Sequence, residues 1–178
     1  MSTSRAEHGP SPGNNTGLGQ ALSPVVHVVL VEPRIAGNIG AAVRLCAATG
    51  AALHICGNLV LGGDERAMRR AGLDYWSDAR VHFHRDVHRC LALLGKEPWI
   101  IEVGGAGPPW DVSIESGDVI VLGPEDGSVP SELCQDRQRV LTLPTRPGAR
   151  SLNLAQCASV VVFEALRQQQ QNRSQAVG

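Results

Sequence analysis

Short apolar runs alternate with longer stretches of helical pattern along the chain. Val25–Val31 (VVHVVLV) is almost continuously apolar and β-branched, as a strand buried on both faces requires. Residues Asn38–Thr49 then follow as a helix, with Asn38 placed as its N-cap and Gly50 as its stop. Ala51–Cys56 is strand-like. Asp64–Ala71 (DERAMRRA) opens with acids and closes on arginines, which suits a short helix and its dipole. The pattern further predicts strands at Arg80–Phe83, Pro98–Val103, Asp118–Leu122 and Arg139–Leu143, and helices at Asp86–Leu94 and Asn153–Gln169. This β-α-β-α order predicts an α/β fold: an open, mostly parallel sheet with helices on both faces.

The two ends differ from this core. Fifteen of the first 24 residues are Gly, Ser, Pro, Asn or Thr, too polar to offset their ordering entropy by burial. Residues 1–24 are therefore expected to form a tail and residues 25–169 one domain. From Gln168 the chain is again polar, and residues 170–178 are expected to fray.

The last helix carries a further signal. Val160, Val161, Val162 and Phe163 are consecutive, so they point all round the helix axis and need burial on more than one side. One side can pack on the sheet. The other predicts a dimer interface, a sandwiched position within one chain being the alternative.

Composition narrows the setting. Of the 178 residues 43% are hydrophobic and 19% charged, a globular balance. No run of about 18 apolar residues predicts a membrane span, and the start MSTSRAEHGP predicts no secretory signal. Cys46, Cys56, Cys90, Cys134 and Cys157 form no C-x-x-C pair, which argues against a disulfide framework or zinc site and for a cytoplasmic protein. His84 and His88 have the i, i+4 spacing of a metal pair, but the sequence places no acidic or cysteine partner beside them; no metal is expected. The net charge of -1 excludes a uniformly basic coat. Lys96 is the only lysine, so the other 15 basic residues are arginines, suited to bidentate phosphate contacts.

Ligands of open α/β sheets bind beyond the carboxyl ends of the strands. Four loops leave those ends rich in Gly and Pro: Glu32–Gly40, Gly104–Pro109, Gly123–Pro130 and Pro144–Asn153. Together they suggest a backbone-lined pocket. None contains G-x-G-x-x-G, a Walker A loop or G-x-S-x-G, so dinucleotide, nucleoside-triphosphate and α/β-hydrolase chemistry have no motif support. Arg44 stands out in the small, apolar stretch Ala41–Ala48. A charge there needs an ion-pair partner, such as Glu32 or Glu125, or a pocket mouth.

Three ordered motifs resemble a known family. Glu32, Pro33, Gly37, Asn38, Ile39, Gly40 and Arg44 form the first; Val121-Leu122-Gly123-Pro124-Glu125 with Gly127 the second; Leu143-Pro144 followed by Ser151-Leu152-Asn153-Leu154 the third. The chain resembles the SPOUT superfamily of S-adenosylmethionine-dependent RNA methyltransferases, in its SpoU-type 2′-O-ribose branch, from about Val26 to Arg167. Met68–Tyr75 is similar to a segment of the small stand-alone members that methylate the wobble ribose of tRNA. An rRNA ribose methyltransferase and a non-catalytic knotted RNA-binding protein are the alternatives.

The resemblance implies a C-terminal trefoil knot, a homodimer, and tRNA as partner. It implies S-adenosylmethionine held near Ile101, Gly123, Leu143, Ser151 and Leu152, with a Cβ at Gly123 obstructing it. It makes Arg44 the catalytic arginine and gives Glu125 and Asn153 a bracing role. RNA contacts are expected from Arg34, Asn38, Arg44, Arg66, Arg69, Arg70, Arg146 and Arg150.

Overall fold

The computed structural model describes residues 24–57 and 77–176. Its strands are β1 (Val26–Val31), β2 (Ala52–Cys56), β3 (Arg80–His84), β4 (Trp99–Ile101), β5 (Asp118–Leu122) and β6 (Val140–Leu141). Its helices are α1 (Ala36–Thr49), α2 (Val87–Leu94) and α3 (Leu154–Ala176). The strands form one six-stranded sheet of order β3-β2-β1-β5-β4-β6, and every pairing is parallel. The predicted helix at Asp64–Ala71 lies outside the described residues.

Both faces of the sheet are covered, which explains the near-continuous apolar strands. On one face Val28, Leu30, Leu53, Ile55 and Ile120 meet Ile39 and Val43 of α1 and Ala158, Val161 and Val162 of α3. On the other, Val29, Val31, Val119 and Val121 meet Val87 and Cys90 of α2. Among the described residues no helix is long and apolar enough to cross a membrane.

Four elements differ from the sequence pattern by two residues or more; one is β4, which ends at Ile101 rather than Val103. Helix α1 begins at Ala36, and its N-cap is Ile35 without a side-chain cap; Asn38 lies inside the first turn rather than at the cap. Gly50 does end the helix, in the left-handed conformation. Helix α3 continues to Ala176, past the predicted end at Gln169, and Gln171 accepts from Arg167 Nη1 at 2.7 Å in the added turn. Gln168 accepts from the Ile114 amide at 2.8 Å and donates to Val112 O at 3.0 Å, while Gln169 donates to Val25 O at 2.9 Å. Strand β6 is only two residues long, since the loop after β4 takes over its pairing: Ala106 N donates to Val140 O at 2.7 Å and Thr142 N to Gly107 O at 2.9 Å. Gly105 is required there, because a Cβ would lie 2.6 Å from Val140 O.

Parallel register also builds a row of histidines across β1, β2 and β3. His27 Nδ1 is 2.9 Å from His54 Nε2, and His54 Nδ1 is 2.9 Å from His84 Nε2. His82 stacks on His54 with centroids 4.9 Å apart. Burial first, then the charges of His27, His82 and His84, lower the pKa of His54 to about 3. The unfolded chain therefore takes up this proton near pH 6.5, and the folded chain does not until far lower pH. Stability contributed here is complete above pH 6.5 and is lost as pH falls, by up to about 1.4 kcal/mol per pH unit. Urea midpoints should fall between pH 7 and pH 5, a window above most carboxylate titrations; a flat profile would contradict the neutral, buried state of His54.

Candidate functional site

A cavity of about 190 Å³ opens beyond the carboxyl ends of β4, β5 and β6. Ile101, Gly123, Leu143, Ser151 and Leu152 all line it, together with Glu125 and Arg150. Leu122, Leu143, Leu152 and Leu154 form apolar wall, and Glu102, Thr142 and Ser151 add polar groups. Such a surface suits an amphiphilic nucleoside carrying a cation better than a simple anion. Of the four Gly/Pro-rich loops, those at Glu32–Gly40 and Gly104–Pro109 supply no lining residue; the latter clamps β6, and Ile101, Glu102 and Val103 supply the β4 side instead.

The three motifs are tied by one polar relay. Glu125, in the loop after β5, accepts from Arg34 N at 2.8 Å, Ile35 N at 3.1 Å and Asn38 Nδ2 at 2.8 Å. Burial would raise the Glu125 pKa, but these donors outweigh it and hold the carboxylate below its usual range. Asn38 Oδ1 in turn accepts from Asn153 Nδ2 at 2.7 Å. Asn153 Oδ1 caps α3, accepting from Ala155 N at 2.9 Å and Gln156 N at 3.3 Å. Glu125 thus serves the start of α1 in place of a local cap, and Asn153 caps α3. Asn38 is only 6% exposed with both ends of its amide engaged. The amide of Asn38 is thus engaged within the protein on both sides, between Glu125 and Asn153.

Gly123, which lines the cavity, is also required by its own loop. A Cβ there would lie 2.9 Å from Val129 N and 3.1 Å from Ser128 C, so the constraint comes from closure of its own loop. Glu102, which sequence reasoning missed, holds that closure by accepting from Val129 N at 3.0 Å. Its only sequence signal is a carboxylate directly after an apolar strand.

Arg44 lies on the exposed side of α1, where its charge carries little desolvation cost. It lines a shallow groove with Gly37, Gly40 and Ala41 of α1 and Ser159 and Phe163 of α3. This groove shares no lining residue with the cavity. Val160 and Phe163 are 43% and 59% exposed, whereas Val161 and Val162 are buried. Arg34 is paired with Asp126 at 2.6 Å. Arg146 and Arg150 are exposed in the loop before α3. Arg66, Arg69 and Arg70 lie outside the described residues.

This arrangement has known counterparts. A family model described as the SpoU rRNA Methylase family matches residues 25–163. A tRNA (cytidine(34)-2′-O)-methyltransferase of Burkholderia cenocepacia is 44% identical over 148 residues, covering 80% of this chain and 94% of the relative. One of Escherichia coli K12 is 35% identical over 147 residues, covering 81% and 94%. A solved structure giving structural insights into the 2-OH methylation of C/U34 on tRNA superposes with a TM-score of 0.73 at 32% identity, covering 80% of this chain and 95% of the other. The SpoU methyltransferase AviRb from Streptomyces viridochromogenes, in complex with AdoMet, shares the fold at a TM-score of 0.69 and 19% identity, covering 82% and 61%. With the family model spanning the sheet, the braced loops and the first part of α3, the chain belongs to the SpoU methylase family.

Proposed function

We propose that the chain transfers the methyl group of S-adenosylmethionine to the ribose 2′-hydroxyl of the tRNA wobble nucleotide, a cytidine or uridine. The observation that carries this is the likeness to tRNA (cytidine(34)-2′-O)-methyltransferases along 94% of their length, with a cavity of fitting chemistry beyond the braced motif loops. When bound, S-adenosylmethionine would supply a sulfonium-activated methyl for the 2′-oxygen, the carbon–sulfur electron pair staying on sulfur as the thioether product and the hydroxyl proton passing to solvent. Ile101, Gly123, Leu143, Ser151 and Leu152 hold the nucleoside, and Glu125, Asn38 and Asn153 fix the loops that present them. Arg44 holds the target phosphate and stabilises charge developing on the 2′-oxygen. Arg34, Arg146, Arg150 and the arginines at 66, 69 and 70 extend the RNA surface. The chemistry is positional and needs no metal.

The reading includes a knotted α3 and a homodimer acting on cytoplasmic tRNA. The chain passes from β5 across β4 to reach β6, and Asn153 reaches back to the α1 brace; both are compatible with threading. The exposed Val160 and Phe163 supply a dimer face beside the Arg44 groove. Phe163→Glu should therefore yield monomers in light scattering and lose methyl transfer while its melting temperature changes little. A fully active monomeric variant would separate the chemistry from dimerisation.

The test is methyl transfer from labelled S-adenosylmethionine to tRNA unmodified at position 34, with rRNA as parallel substrate and products mapped by mass spectrometry. A 2′-O-methyl group at the wobble position is the expected product. Label confined to rRNA would keep the reaction and overturn the substrate. Absence of label in both RNAs would overturn the reading.

A further inference from the structure

A second cluster lies at the β2–β3 edge of the sheet, apart from the cavity and the groove. His54 on β2 and His84 on β3 are diagonal neighbours on one face, because the parallel register sets His54 beside His82 and Cys56 beside His84. Their facing nitrogens, His54 Nδ1 and His84 Nε2, are 2.9 Å apart. Helix α2 covers the same face and brings Cys90. The two nitrogens and Cys90 Sγ all lie within 4.8 Å of one another. His54 and Cys90 are buried, and His84 is partly open to solvent.

We propose that His54, His84 and Cys90 form a binding site for one borderline-soft divalent cation of the zinc class. Two imidazoles and one thiolate are the donor set such ions prefer, and three protein ligands leave a fourth position for water on the side of His84. The fit requires little movement. Zinc–nitrogen bonds of about 2.0–2.1 Å in a tetrahedron place two nitrogens about 3.3 Å apart, so the pair opens by about 0.4 Å.

The surrounding groups match what a metal site needs outside its ligands. A ligating histidine donates its other ring N–H to an acceptor, which fixes its tautomer. His27 Nδ1 stands 2.9 Å from His54 Nε2 and takes that role, leaving His54 Nδ1 as the lone pair facing His84. Cys56 lies with Cys90 in the same buried cluster. In the metal-free state one proton lies between His54 and His84. On binding, that proton moves through solvent to His84 Nδ1, so His84 stays neutral with Nε2 free, Cys90 releases its thiol proton to solvent, and the ion takes up the thiolate and two nitrogen lone pairs. One proton leaves per ion bound. The ion would staple β2, β3 and α2 together at the edge of the sheet. Sequence spacing could not reveal the site: His54 and His84 are 30 positions apart, and the apparent pair His84 and His88 diverges, with His88 turned to Glu132 at 3.3 Å.

The test uses the full chain, reduced and stripped by chelator, titrated with Co²⁺ and then Zn²⁺. One Co²⁺ per chain is expected, with a thiolate-to-cobalt charge-transfer band, displaced by equimolar Zn²⁺. Calorimetry in buffers of different ionisation enthalpy should show release of one proton. Cys90→Ser and His84→Ala should abolish the band, whereas Cys134→Ser and Cys157→Ser should keep it. His27→Ala should retain the band with affinity lowered about 10–100-fold. Circular dichroism identifies any variant that fails to fold, and His84→Ala, at the partly open position, guards against that outcome for Cys90→Ser. A wild-type chain without stoichiometric binding, or a band that survives in folded His84→Ala, overturns the site.

Discussion

Arg44→Ala is expected to leave S-adenosylmethionine affinity unchanged and to lower the rate of methyl transfer about 10²–10³-fold, the loss seen when one donor to a developing oxyanion is removed. The separation follows from the geometry. Arg44 lies in the groove between α1 and α3, and the cavity beyond β4, β5 and β6 contains none of its lining residues. The expected contribution is electrostatic, because a guanidinium is a donor without a free base function. It can hold a phosphate through two parallel hydrogen bonds and favour ionisation of the neighbouring hydroxyl. Arg44→Lys keeps the charge but loses the planar fork, so it should recover RNA affinity more fully than rate. Calorimetry with S-adenosylmethionine and single-turnover methylation of tRNA separate the two effects. An unchanged single-turnover rate in Arg44→Ala would remove the residue from the mechanism.

The elements that were legible in the sequence are those whose energetics are local or periodic. Val26–Val31 and Asp118–Leu122 read as strands because both faces of a parallel sheet are covered. Asp86 could be read as the start of α2 because it caps its own helix, accepting from Arg89 N at 2.8 Å. The start of α1 was displaced because its acceptor, Glu125, lies 87 positions from Asn38. The end of α3 was hidden because the value of Gln168 and Gln169 depends on Ile114, Val112 and Val25. The Gly104–Pro109 loop has the composition of a ligand loop, yet serves as the partner of β6. The cavity-lining residues were reached through resemblance of the motifs; their spacing alone carried only a general expectation of a pocket at the strand ends. The histidine row follows from register, which the sequence does not state.

Asn38→Asp isolates the brace that joins the three motifs. The substitution preserves shape and keeps an acceptor for Asn153 Nδ2, now 2.7 Å from Asn38 Oδ1. It removes the donor that faces Glu125 Oε1 at 2.8 Å and places a second carboxyl against it. At a position only 6% exposed, an uncompensated like charge should cost about 3 kcal/mol, at the lower end for disrupted buried ion pairs. That corresponds to a melting temperature lower by roughly 6–12 °C for a chain of this size. Repulsion raises the pKa of the new carboxyl pair in the folded state. The deficit is therefore full above that raised pKa and shrinks as pH falls through it, when one shared proton restores a donor. Asn38→Ala should instead cost about 1–3 kcal/mol from unsatisfied partners, with little dependence on pH. Both variants should bind S-adenosylmethionine more weakly, since Glu125 and the start of α3 border the cavity through Leu152 and Leu154. Thermal melts at pH 7.5 and pH 5, paired with cofactor titrations, decide the matter. If Asn38→Asp melts at the wild-type temperature and binds the cofactor normally, the relay neither stabilises the loops nor shapes the site.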